Sequence, residues 1–85
     1  MEKIQILSIG SDSCVIANRV LAIVGPPDSA PIRRMIREAR ERGNLIDATA
    51  GKKTAGVLVM DSDHVVLSSL DEKTLMQELK KTLAE

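Results

Sequence analysis

The chain has 85 residues, with 12 basic and 12 acidic side chains, one cysteine, and no phenylalanine, tyrosine or tryptophan. This length predicts one domain, residues 1–85, with a core of Ile, Val, Leu, Met and Ala that would gain from burial against another copy. The zero net charge argues against a protein that coats nucleic acid indiscriminately, and the single cysteine excludes an intrachain disulfide framework.

Targeting and membrane-spanning patterns are also missing from the sequence. No apolar run approaches the length of a membrane span, and residues 1–3 (MEK) lack the pattern of a signal peptide. We therefore expect a cytoplasmic protein with no membrane partner.

The first third of the chain predicts short strands. Residues 4–9 (IQILSI) alternate apolar and polar side chains, as a half-buried strand does, and residues 10–13 (GSDS) have the composition of a turn. Residues 14–24 (CVIANRVLAIV) are rich in β-branched side chains but are interrupted at Asn18 and Arg19. This pattern predicts two strands or one bent strand, with Arg19 either an outward-facing strand residue or a functional cation.

A central helix is predicted over about residues 29–43. Asp28 or Ser29 can cap its start, Pro31 fits its first turn, and Gly43 suits the position just after its end. Apolar side chains at helical spacing form its buried stripe: Ile32, Met35, Ile36 and Ala39.

Three arginines of this helix, Arg33, Arg37 and Arg40, fall on one exposed face. They are either a solvated face with local ion pairs or a more specific surface. The specific alternatives are a contact between subunits and an accessory phosphate-binding surface.

The second half of the chain predicts three short strands in succession and a final helix. Gly, Asp and Ser residues separate the β-branched runs that end near Thr49, span residues 56–60 and span residues 64–68. Asp71 can cap a helix over about residues 72–84, whose apolar stripe consists of Leu75, Met76, Leu79 and Leu83. This stripe packs either on the sheet or on a neighbouring subunit. The elements together predict an α/β fold of the α+β type, with one mostly antiparallel or mixed sheet of about five to six short strands and two helices.

The sequence contains no constellation for catalysis or metal binding. His64 follows Asp61 and Asp63, but these lack the spacing of a zinc site, and acidic residues in such a turn usually bond to the turn backbone. Cys14 has no activating partner in the sequence and is expected to be buried and unreactive. We therefore expect no enzyme activity, metal, cofactor or small-molecule substrate.

Lys52 and Lys53 stand beside a glycine in the turn at residues 50–54, with no acidic residue from position 48 to 60. They are either a solvated turn or a phosphate-binding site, because compact ammonium groups suit phosphate oxygens. Single-stranded nucleic acids are usually held by stacking on aromatic rings, which this chain lacks. If the turn binds nucleic acid, double-stranded DNA held by its backbone is the better hypothesis.

Several stretches together make the sequence recognisable. They are ANR at residues 17–19, SAPIRR at 29–34 leading into EARERG at 38–43, LIDAT at 45–49 with GKKT at 51–54, and DSDHVVLS at 61–68. In this order, over about residues 9–70, the chain closely resembles the RemA family of small bacterial extracellular-matrix regulators.

The resemblance implies a transcriptional regulator of biofilm matrix genes whose small α/β subunits assemble into a closed ring around which double-stranded DNA wraps or bends. It implies that Arg19, Lys52 and Lys53 contact DNA, and that Pro31 and its neighbours are structural or lie at an interface. We expect each subunit to present the three cations on one edge of its sheet. Arg33, Arg37 and Arg40 are assigned to the same structural or interface group. The alternative is a ring-forming structural or interaction module that does not bind DNA.

The sequence departs from the family pattern at two places. The usual Phe-Gly-Asn after the first strand is replaced by residues 11–13 (SDS), and the usual Tyr-Gly-Arg-Arg-Thr-Arg turn by residues 50–55 (AGKKTA). Lysine keeps the charge of arginine but loses the planar fork that grips a phosphate through two bonds. Weaker and less selective DNA binding than in a typical member is therefore expected.

Overall fold

A computed structural model of the chain describes residues 4–10 and 12–84. Within that part, six strands and two helices follow one another: β1 (Ile6–Ser8), β2 (Cys14–Ile16), β3 (Val20–Val24), α1 (Ala30–Arg42), β4 (Leu45–Asp47), β5 (Gly56–Met60), β6 (Val65–Ser68) and α2 (Glu72–Ala84). A short 3-10 turn at Ala17–Arg19 separates β2 from β3. The polar residues Asn18 and Arg19 therefore break the apolar run where the sequence indicated.

The centre of the molecule is a four-stranded mixed sheet in the order β3-β5-β6-β4. Strand β5 is antiparallel to both of its neighbours, with Val57 opposite Val24 on one side and Leu67 on the other. Strand β4 pairs in parallel with β6, so that Ile46 lies opposite Val66. The first two strands form a separate antiparallel pair in which Ile6 lies opposite Ile16.

Both faces of the four-stranded sheet are buried. Successive strand residues point to opposite faces, so that Val57 and Leu58 of β5 enter different cores. Helix α1 covers one face, where Ala39 packs with Val57, Val65 and Leu67. Helix α2 and the β1–β2 pair cover the other, whose buried cluster consists of Leu7, Ile9, Ala17, Leu58, Val66 and Leu75.

Local signals in the sequence account for the ends of both helices. After α1, Gly43 adopts a left-handed conformation with φ 76°, and the Asn44 N–H donates to the Ala39 carbonyl over 2.8 Å. At the start of α2, the Asp71 carboxylate accepts a hydrogen bond of 2.8 Å from the Thr74 backbone N–H. Ser29 occupies the capping position of α1, but its side chain makes no capping hydrogen bond.

The α+β fold, its strand number and its two helices are confirmed, and three details of the prediction are wrong. The strands form two sheets instead of one. Strand β4 ends at Asp47 and pairs with β6, because β6 inserts between β4 and β5. Cys14 is exposed, since its strand pairs only with β1. Of the apolar stripe of α2, Leu75 packs into the core, whereas Met76 and Leu83 are exposed in the single chain, so that a contact with a neighbouring subunit stays a prediction for them. Ser11 of the predicted turn, and residues 1–3, which the signal-peptide prediction concerns, lie outside the described part of the chain.

We predict that Gly56→Ala strongly destabilises the fold. A Cβ atom at Gly56 would lie 2.5 Å from the Leu70 carbonyl oxygen and 2.8 Å from Cδ1 of the buried Leu75. Overpacking of this kind costs about 1–3 kcal/mol, and a backbone neighbour cannot move aside as a side chain can. Urea unfolding followed by circular dichroism measures the effect.

Gly10→Ala is the matched control, because the nearest atom to its new Cβ is the side-chain oxygen of Ser69 at 3.3 Å. A Gly56→Ala variant as stable as the Gly10→Ala variant would contradict this account of the packing.

Candidate nucleic-acid interface

The two lysines follow a tight turn with an unusual backbone. The Lys52 N–H donates to the Thr49 carbonyl over 3.0 Å, and the two central residues have positive φ angles, 54° at Ala50 and 82° at Gly51. Positive φ at both positions is the type I′ arrangement, which favours glycine at the second of them. The turn therefore fixes the path of the chain immediately before Lys53.

A buried threonine holds the base of this turn. Thr49 is 4% exposed, and both its backbone N–H and its hydroxyl donate to Oδ1 of Asp47, over 3.0 Å and 2.6 Å. The Thr49 hydroxyl, with help from the Thr49 N–H and the nearby Arg40 guanidinium, lowers the pKa of Asp47 below its ordinary value. Asp47 is therefore ionised at neutral pH and accepts both bonds as a carboxylate.

Both lysines are exposed at one end of the sheet. Their turn connects β4 to β5 across the end of β6, which lies between those strands. Lys53 also borders a cleft of about 750 Å³, and Arg33 and Arg40 of α1 border the same cleft. The lysine turn and the arginine face of α1 are therefore neighbours in space, although the sequence separates them.

Arg19 lies at the end of the 3-10 turn and is tied to Asp61. Its guanidinium Nη1 donates to Asp61 Oδ2 over 3.2 Å, and its carbonyl accepts a hydrogen bond of 2.8 Å from the Asp61 N–H. The Arg19 side chain is 67% exposed, so this ion pair is weak and readily exchanged for another anion.

The structure places Arg19 far from the lysine turn within one chain. Strands β3 and β5 are antiparallel, with Val20 opposite Met60. Arg19 therefore lies beside the C-terminal end of β5, whereas Lys52 and Lys53 precede the N-terminal end of that strand. The expectation that one subunit presents all three cations along a single edge is wrong.

The residues assigned to structure or an interface all lie on α1. Pro31 is exposed in the first turn of the helix, where backbone N–H groups have no acceptor within the helix, so that the lack of an N–H costs no hydrogen bond. Arg33, Arg37 and Arg40 are exposed as well, and no carboxylate in the described part of the chain pairs with them. The local ion pairs allowed by the sequence therefore do not form on this face.

An apolar groove of about 440 Å³ lies beside Arg19 on the opposite side of the sheet from α1. Its walls include the exposed side chains of Cys14, Ile16 and Ile46. Sequence reasoning missed this groove because its walls come from strands that are distant in the chain. The signal that could have indicated the groove is Ile46, an apolar residue of β4. Because β4 lies at the edge of the sheet, this side chain stays exposed.

The described residues contain no group of three His, Cys, Asp or Glu side chains that could hold a metal ion. None of the helices found in residues 4–10 and 12–84 is long and apolar enough to cross a membrane.

Comparison with known proteins identifies close relatives over most of the chain. A family model described as RemA-like, extracellular matrix regulatory protein A-like, matches residues 6–79. The chain is 56% identical over 75 residues to a protein of Crocosphaera subtropica, and the matching region covers 88% of this chain and 82% of that protein. It is 51% identical over 76 residues to a protein of Bacillus pumilus, with 89% and 84% covered. It is 53% identical over 79 residues to a protein of Symbiobacterium thermophilum, with 93% and 82% covered. The names of all three propose a regulatory role, and none of them describes an enzyme.

We predict that stability falls in acid because two carboxylates have lowered pKa values in the fold. The Thr49 hydroxyl lowers that of Asp47, and the Thr74 N–H lowers that of Asp71. A lowered folded pKa stabilises the fold above the unfolded value of about 3.9 and ceases to do so as the pH falls through the folded value. Urea midpoints measured from pH 7 to pH 3 should therefore decrease below about pH 4.

The double variant Asp47→Asn/Asp71→Asn should be less stable than the parent at pH 7 and should depend less on pH. Parallel curves for parent and variant over this range would contradict the assignment.

Proposed function

This chain belongs to the RemA-like family, and on that premise we propose that it is a transcriptional regulator that binds double-stranded DNA through its sugar-phosphate backbone. The observation that supports the proposal best is the lysine turn, in which two exposed ammonium groups follow a backbone fixed by Asp47 and Thr49. Lysines of this kind contact phosphates and position a duplex without reading its sequence. Control of biofilm matrix genes is the biological role that the family description supports.

The proposed active form is a closed ring of identical subunits. One subunit offers only three proposed DNA contacts, Arg19, Lys52 and Lys53, whereas a ring repeats them in every subunit. Linked contacts then reinforce each other through effective concentration. The separation of Arg19 from Lys52 and Lys53 favours a head-to-tail ring, because such an interface brings opposite ends of neighbouring subunits together. Arg19 of one subunit would then add to the lysine pair of the next.

Exposed apolar side chains support self-association. Ile16 and Ile46 border the groove beside Arg19, and Leu21 is 70% exposed on the edge strand β3. A chain without aromatic residues gains stability when such surface is buried against another copy.

A ring-forming module without DNA binding is the second candidate. The observation that favours it is the pairing of Arg19 with Asp61, which neutralises one of the three proposed contacts. The zero net charge of the chain favours it as well. A particle with the mass of a large oligomer that leaves duplex DNA unshifted at low salt would select this candidate.

We predict that Lys52→Gln/Lys53→Gln weakens binding of a promoter-length duplex at least tenfold and makes it less dependent on salt. Each phosphate contact that is lost removes about one from the slope of log affinity against log salt. Fluorescence anisotropy at several salt concentrations measures both quantities.

Lys80→Gln/Lys81→Gln is the matched control, because it removes the same charge from exposed positions of α2. If both double variants bind like the parent, the lysine turn is not the DNA contact.

We also predict that Asp61→Asn strengthens duplex binding. The substitution releases the Arg19 guanidinium from its carboxylate partner, and an exposed pair of this kind changes an equilibrium by up to about fivefold. The gain should disappear in the double variant Asp61→Asn/Arg19→Gln. A gain that persists without Arg19 would show that the carboxylate acts on DNA directly, and the role of Arg19 would be wrong.

A further inference from the structure

We propose that the arginine face of α1 is a second phosphate-binding surface, continuous with the lysine turn, over which the same DNA duplex runs. This inference rests on the proposed function and extends its contact surface to Arg33, Arg37 and Arg40. These arginines were assigned above to structure or to an interface, and the structure supplies three reasons for a different role.

The first reason is continuity. Lys53, Arg33 and Arg40 border the cleft of about 750 Å³. Arg33 also borders a neighbouring hollow of about 340 Å³, together with Arg34 and Arg37. Because Arg33 borders both hollows, the cations of the lysine turn adjoin those on the outer side of α1, and together they form a basic strip.

The second reason is that the strip is available for an external anion. Each of its arginines is exposed, and within the described residues neither they nor Lys53 lie within ion-pairing distance of a carboxylate, although Arg40 is near enough to Asp47 to lower its pKa. Glu38 and Glu41 share the helix but do not pair with these arginines. An unpaired guanidinium presents a planar fork of donors that matches two phosphate oxygens.

The third reason is the asymmetry of the cleft. Its acidic side chains are Asp28, Asp71 and Glu72, which come from the loop before α1 and from the start of α2. Asp71 is already engaged with the backbone N–H of Thr74. On the α2 side Asp71 and Glu72 repel a polyanion, whereas on the α1 side the two arginines Arg33 and Arg40 outnumber the single carboxylate of Asp28. The α1 side is therefore the more favourable wall for a polyanion.

The spacing of the arginines suits a nucleic-acid backbone. Positions 33, 37 and 40 fall on one helix face, and a rise of 1.5 Å per residue spreads them over about 10 Å. One strand of duplex DNA advances about 3.4 Å along its axis per phosphate, so that this length spans about three phosphates. The α1 surface therefore restores part of the arginine character that the lysine turn lacks.

The test compares two double variants that each remove two positive charges from exposed helix positions. Arg33→Gln/Arg37→Gln alters the strip, and Lys80→Gln/Lys81→Gln alters α2. Glutamine has nearly the helix propensity of arginine and lysine, so that both variants should fold, as circular dichroism can check. Duplex affinity is measured by anisotropy over a range of salt, and particle mass by light scattering on the same samples.

The expected result is at least a fivefold loss of affinity in the arginine variant, with a salt slope reduced by about two and an unchanged particle mass. The lysine variant should differ less than twofold from the parent. Equal behaviour of the two variants would overturn the inference while leaving the lysine turn in place, provided that Lys52→Gln/Lys53→Gln still weakens binding at least tenfold. A reduced particle mass in the arginine variant would overturn it in favour of a subunit contact. No binding by the parent would overturn both the inference and the proposed function.

Discussion

The fold depends on burying a small mixed sheet on both faces with aliphatic side chains alone. Strands β5 and β6 occupy its centre, and alternate residues of β5, Val57 and Leu58, belong to different cores. Neither face can be left open, because the chain has no aromatic ring to supply a larger apolar area. Helix α1 on one side and helix α2 with the β1–β2 pair on the other are therefore both required, and each brings its own surface chemistry with it.

This layering determines how charge is distributed over a chain that is neutral as a whole. The arginines of α1 and the lysine turn face the same cleft, so that sequence segments more than ten residues apart create one basic strip. Arg19 lies at the other end of β5 and is compensated by Asp61. Net charge alone therefore describes this molecule poorly, since exposed cations gather on α1 and the lysine turn while Arg19 is paired with Asp61.

Local signals in the sequence predicted most of the elements. The interruption at Asn18 and Arg19, the capping residue Asp71 and the glycine at position 43 all stand at the boundaries that they indicate. Each acts on its immediate neighbours through backbone geometry or one hydrogen bond, which is why a short stretch of sequence is sufficient.

Pairing partners could not be predicted in the same way. The apolar residues of β4 are compatible with either β5 or β6 as a neighbour, and the parallel choice follows from packing that distant residues provide. For the same reason the sequence did not reveal that Cys14 is exposed or that Arg19 and Lys53 are separated. The residue types of the candidate site could be identified from the sequence, but their arrangement required the structure.

The backbone of the lysine turn has one further consequence. Ordering a flexible loop on a ligand costs about 1–2 kcal/mol per residue in conformational entropy. Here Ala50 and Gly51 already occupy left-handed conformations, and the bonds between Asp47 and Thr49 hold the base of the turn in place. The loop backbone is thus preorganised, because the conformational entropy of these residues is already lost when the chain folds. In the proposed complex with DNA, the turn would therefore bind phosphates without a further entropic cost of ordering its backbone.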